Sequence, residues 1–267
     1  MKKLFSVLFT VWAALAMAGA QAGGISDVGV NAYWGADGHG YGDVIGSSTY
    51  EINGATITRV GSVLTVTIAT NFAGHAGVEL GSAPGGIGYG DVFLSKIWNP
   101  FGTDANHTND NASNGTLWNY GLSLDNRWSN TGGTFKLYQL NGATNATSIY
   151  NSENFMNCAI GSACYYRNGE ATAVKTSSST VKDTGVTGNW TVTKDQQLQF
   201  TINIGSTDLM NFSSFAMHWG ETCQNDVIEG AVRVVPNPGS LPLVVLGMGA
   251  LLVLHRRQAG IAAKRIA

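Results

Sequence analysis

Apolar and polar residues alternate with period two through most of this chain. Leu64, Val66 and Ile68 are interleaved with Thr65, Thr67 and Ala69; Leu198, Phe200, Ile202 and Ile204 with Gln199, Thr201 and Asn203; Phe215, Met217 and Trp219 with Ala216 and His218. Successive side chains of a strand point to opposite faces, so this pattern predicts strands with one face toward a core. Residues 50–58, 91–98, 117–124, 134–140, 189–193 and 227–234 add further strands. Turns rich in Gly, Asn and Ser, such as "DNASNG" and "SNTGGT", separate them. No helical period runs through residues 23–234. At least nine strands in about 210 residues predict a single all-β domain, an antiparallel β-sandwich of jelly-roll or lectin-like kind.

The alternation stops at both ends. Met1-Lys2-Lys3 is basic, the chain is then almost wholly apolar to Gly19, and Ala20-Gln21-Ala22 follows. A basic start, an apolar middle and a small-x-small exit predict a secretory signal peptide over residues 1–22. Near the other end, Val235-Pro236-Asn237-Pro238 precedes an apolar run at 241–254 and then His255-Arg256-Arg257. As a helix that run spans about 21 Å, short of a hydrocarbon core of about 30 Å. Pro242, Gly247 and Gly249 weaken it further as a permanent anchor. The positive-inside bias would keep the arginines cytoplasmic and the body outside.

This ordered triple resembles the PEP-CTERM sorting signal of bacterial exosortase substrates, which has a Val-Pro-Glu-Pro motif, an apolar helix and an arginine cluster. Val235, Pro236 and Pro238 match, as do Arg256 and Arg257. Asn237 stands where the family has glutamate, and residues 258–267 follow the arginines. "YWGADGHGYGDVIG", "GTLWNYGLSLDNRWS" and "HWGETCQNDVIEG" also look like recurring blocks in the bodies of such proteins. The resemblance implies a Gram-negative bacterium and export past a signal peptidase. It implies transient inner-membrane anchoring through the tail at 235–267, then cleavage near the motif by an exosortase-type processing protease. The product would reach the cell surface or a biofilm's extracellular matrix.

Charge narrows the partners of the body. Six of the 15 Lys and Arg residues lie in the two end segments, which leaves nine against all 17 Asp and Glu, a net charge near −8. Such a body repels nucleic acid and anionic membrane surfaces and suits cations. Cys158 and Cys164, in "NCAIGSACYY", read as a small disulfide loop in an exported chain, with two reduced thiols as the alternative. Cys223 is left over, either as a buried thiol or for pairing between molecules.

The candidate chemistry centres on aspartates at strand mouths. "GYGDV" occurs at residues 40–44 and 88–92, and "NDVIEG" at 225–230. Asp43, Asp91 and Asp226 thus each stand between a turn and an apolar strand start. One reading is structural: the carboxylate closes its turn by accepting backbone N–H bonds. A second is a calcium site, in which loops at one end of the sandwich bring the three carboxylates together as oxygen ligands. A third is glycoside hydrolysis by two carboxylates. Asp226 and Glu229 are three apart on one strand and so face opposite ways, and neither a Gly-x-Ser-x-Gly elbow nor a His-Glu-x-x-His helix is present.

Trp118 and Trp128 lie in or near Gly- and Asn-rich turns, where an aromatic face could stack on a sugar ring; core packing is the alternative. The expectation is therefore an exported surface or matrix protein without catalytic activity. The alternative is a lectin-like module for exopolysaccharide, with a glycan-active hydrolase third.

Overall fold

The computed structural model describes residues 21–26, 48–80, 83–99, 115–156 and 169–234. Its compact body runs Ala22–Val235. Ten strands form one sheet: β1 (Gln21–Ile25), β2 (Ile52–Val60), β3 (Val63–Thr70), β6 (Val92–Ser95), β7 (Tyr120–Leu124), β8 (Gly132–Leu140), β11 (Val181–Thr193), β12 (Gln197–Asn203), β13 (Ser214–Gly220) and β14 (Val227–Arg233). Their order is β1-β2-β3-β12-β11-β8-β7-β6-β13-β14. Two ribbons stand apart, β4 (Val78–Leu80) with β5 (Ala83–Ile87), and β9 (Ile149–Asn151) with β10 (Ala171–Val174). The described residues are therefore mostly β, and their large sheet is antiparallel, as the alternation predicts. Among the described residues, helix is confined to α1 (Asn145–Ser148) and the 3-10 turns Ser152–Asn154 and Asp208–Asn211.

The hairpin β2–β3 shows how local sequence makes this sheet. Val60 pairs with Val63, which leaves Gly61 and Ser62 as a two-residue loop. Gly61 takes φ 59° at the first loop position, where a tight hairpin turn demands the left-handed region that glycine enters without strain. Leu64, Val66 and Ile68 then point inward opposite Ile202, Phe200 and Leu198 of β12, and all six are buried. Across β11 and β8 the ladder slips between Asp183 and Thr187. The bulge is closed by Gly185, whose N–H donates to Asp183 Oδ1 at 2.8 Å.

The sheet curls until its outer strands face each other. A Cβ added to Gly23 of β1 would lie 2.4 Å from Val232 Cβ of β14, and one on Gly230 of β14 would lie 2.8 Å from Ile25 Cγ2. Only side chains reduced to hydrogen let the two edges approach so closely. Inside, Tyr50, Phe72, Tyr89, Trp190 and Phe200 form a string of aromatic contacts with centroids 5.4–6.1 Å apart. Such contacts add to the area term that dominates core stability.

The structure departs from the sequence expectation in three places. β1 begins at Gln21, inside the segment read as leader. The ribbons β4–β5 and β9–β10 and the first half of β11 carry too much Gly, Ala and polar residue to announce themselves as strands. Finally, β13 is buried on both faces, although its alternation predicts one wet face, and the neighbouring apolar run of β6 is buried throughout. The outward side chains Phe93 and Ala216 join Trp118, Leu140, Ile149, Ala171 and Val174 in a second apolar cluster, which the ribbon β9–β10 covers.

Candidate functional site

The second GYGDV copy threads between β13 and β7. Gly88 N–H donates to Thr222 Oγ1, Gly90 N–H to Gly220 O and Asp91 N–H to Thr172 O, and the Trp219 indole donates to Gly90 O at 3.0 Å. A Cβ on Gly90 would lie 2.3 Å from Gly220 O, so glycine is needed here for the close approach of two backbones.

Asp91 is the hub of this end. Its side chain is fully buried. Oδ2 accepts from Val174 N–H at 2.8 Å; Oδ1 accepts from Leu124 N–H at 3.1 Å and from Arg127 Nη2 at 3.3 Å. Arg127 also donates to Tyr89 O at 3.0 Å, and its guanidinium lies 5.1 Å from the Phe155 ring centre. Burial pushes the Asp91 carboxyl up, while Arg127 and the two backbone donors pull it back. Thus Asp91 does not close its own turn. It ties β6 to β7, to β10 and to the loop after β7.

Asp226 does both. Its Oδ1 accepts from the adjacent Val227 N–H at 2.8 Å, and its Oδ2 accepts from Ile52 N–H at 2.6 Å, at the start of β2. Glu51, Glu170, Glu221, Thr222, Gln224 and Asn225 are buried as well. Cys223 is buried near Tyr50. Burial above all, then Cys223 and Glu221, push the Tyr50 phenol up to about 12.

Asp91 and Asp226 therefore bond to the backbone of different strands. Asp43, the third member of the calcium expectation, lies outside the described residues, as do Cys158, Cys164, Val235, Pro236, Asn237, Pro238, Arg256 and Arg257. Among the described residues, no group of three His, Cys, Asp or Glu is placed to hold a metal ion. No helix among them is long and apolar enough to cross a membrane.

The two stacking candidates part company. Trp118 is 3% exposed, packed 6.5 Å from Phe93 and 5.7 Å from His218, so its ring presents no face to a ligand. Trp128 is 42% exposed, in the turn between β7 and β8, with its indole donating to Gly86 O at 3.4 Å.

One polar arrangement was missed in the sequence. His218 on β13 lies directly opposite Glu229 on β14. Nδ1 meets Glu229 Oε2 at 3.1 Å, Nε2 meets Ala171 O at 2.8 Å, and the Trp98 indole donates to Glu229 Oε1 at 2.9 Å. This looks like the back half of a catalytic relay, but the imidazole ends on a backbone carbonyl instead of a nucleophile. The signal was in the sequence: a hairpin turning about Cys223-Gln224 pairs positions 218 and 229. Gln224 takes the positive φ of 51° that such a turn needs.

Compared with known proteins, the chain matches no family model, no curated protein and no solved structure.

Proposed function

We propose that this chain is an exported cell-surface or extracellular-matrix protein without catalytic activity, sorted by its two ends and working as a stable folded body. The observation that supports this is where the compact body stops. It runs Ala22–Val235, so it begins at the last residue of the Ala-Gln-Ala exit and ends as the Val-Pro-Asn-Pro motif begins. A leader removed after Ala22 would take only Gln21 and Ala22 from the start of β1, and a tail cut near Pro236–Pro238 would fall just past the body's end. The polar interior favours a structural role too, since Asp91 and Asp226 accept from backbone N–H groups of other strands and His218 meets Glu229 and the Ala171 carbonyl.

In finer detail, we read the curled sheet as a flattened sandwich of jelly-roll or lectin-like kind. Its halves are β1-β2-β3-β12-β11 and β8-β7-β6-β13-β14, which contribute to one shared inner core. A second functional reading, binding of exopolysaccharide, is favoured by one observation: the exposed ring of Trp128 on a surface turn.

Mass spectrometry of the native protein from a Gram-negative host tests the sorting. The expected product starts at Gly23 and ends near residue 236. A soluble intracellular chain that still carries Met1 and Ala267 would overturn the proposal.

A further inference from the structure

His218 is 1% exposed, yet both of its ring nitrogens point at acceptors. The Ala171 carbonyl has no proton to give, so Nε2 must donate across that 2.8 Å contact. Glu229 already receives the Trp98 indole proton on Oε1; with Glu229 as the carboxylate, Nδ1 donates across the 3.1 Å contact to Oε2. A neutral imidazole owns one N–H and would turn a lone pair toward one of these oxygens. The imidazolium satisfies both. The rings of Trp118 and Phe93 lie beside it, tilted, with centroids 5.7 and 6.2 Å away.

We propose that His218 is a protonation-dependent clasp, which fastens the ribbon β9–β10 over the sheet as the imidazolium and lets it loosen once the ring is neutral. The ribbon is a suitable moving part. Two paired strands alone are marginal in water, and this pair is interrupted by an irregularity between Ala171 and Ala173. Its fastenings converge on β10: His218 and Gln224 Nε2 on Ala171 O, Asp91 N–H on Thr172 O, and Asp91 Oδ2 on Val174 N–H.

Among the described residues, the elements packed around His218 carry few charged groups. β14 supplies Glu229, and β10 is preceded by Glu170 and followed by Lys175, whose Nζ lies 5.6 Å from the Tyr150 ring centre. β6 is preceded by Asp91, which is bonded to Arg127, Leu124 and Val174, and followed by Lys96. Glu221 and Asp226 lie in the turn between β13 and β14, and residues 115–119 carry no ionisable side chain. Glu229 is thus the charged group bonded to the ring.

The test is hydrogen exchange of the full chain at about pH 5.5 and about pH 8.5, with intrinsic rates corrected. In the wild type, protection of residues 149–151 and 171–174 should fall about tenfold at the higher pH, the scale of one buried donor or acceptor losing its partner, while β3 and β12 stay unchanged. Glu229→Gln is the decisive variant. Its amide oxygen can keep the Trp98 bond while its NH2 donates to Nδ1 of a neutral ring, so the ribbon should stay protected at both pH values. Nitrogen NMR of wild-type His218 gives a second readout that does not depend on how the variant folds: both ring nitrogens should be protonated at about pH 5.5. Equal wild-type protection at the two pH values, an unchanged pH response in Glu229→Gln, or an unprotonated Nδ1 at the lower pH would each overturn the clasp.

Discussion

Asp91→Ala separates the structural reading of the aspartates from the calcium reading. The substitution removes the acceptor of two buried backbone N–H groups, Val174 at 2.8 Å and Leu124 at 3.1 Å, and the counter-charge of Arg127 at 3.3 Å. A buried donor left without its partner costs about 1–3 kcal/mol. Breaking a buried ion pair from one side costs about 3–5 kcal/mol, and here the guanidinium side chain retains 12% exposure, which lets water relieve part of that. The effects share one carboxylate and are not additive, so we expect a loss of about 3–5 kcal/mol from a total of about 5–15. Asp91→Asn keeps one acceptor but turns an NH2 toward an N–H or the guanidinium, and should lose about 2–3 kcal/mol. Urea unfolding, run once with calcium and once with chelator, reads both quantities. The difference between wild type and variant should be the same under the two conditions, because the donors to Asp91 are protein groups. A loss below about 1 kcal/mol, or one that vanishes in chelator, would refute this account of the carboxylate.

Three further outcomes follow from the packing and the electrostatics. Gly188→Ala would place a Cβ 2.2 Å from Phe135 Cζ and 2.7 Å from Thr201 O; thermal unfolding should show a loss of about 1–3 kcal/mol from overpacking. Trp118→Ala should cost about 3–5 kcal/mol because the ring is buried, whereas Trp128→Ala, half in solvent, should stay within about 1 kcal/mol, and a polysaccharide pull-down that depends on Trp128 alone would favour the glycan reading. The Asp183 carboxyl is held below 3.8 by the Gly185 N–H and then by Lys136, so its NMR titration should have a midpoint under that value. Because this depressed value belongs to the folded state, the contribution is present above the unfolded value and is lost as pH falls through the folded one; Lys136→Met should raise the midpoint.

Much of the fold was legible from alternation, because a pleated strand hands successive residues to opposite faces whatever surrounds it. Leu64, Val66, Ile68, Leu198, Phe200 and Ile202 face inward as read, and Gly61 sits where the β2–β3 turn requires it. The aspartates at strand mouths could be seen as acceptors, but not what they accept from. Asp91 bonds to backbone 33 and 83 positions away, and Asp226 to backbone 174 positions away. A backbone N–H carries no side-chain signature, so such partners leave no trace in a one-dimensional pattern. The same limit hid the cover over β13. Alternation told which residues of that strand share a face, while the ribbon β9–β10, built from weakly apolar residues, decided that the face with His218 would be dry. The approach of β1 to β14 likewise depended on glycines whose meaning appears only when two edges meet. Local periodicity is a property of one strand's geometry, whereas burial of its second face is a property of whatever the rest of the chain lays upon it.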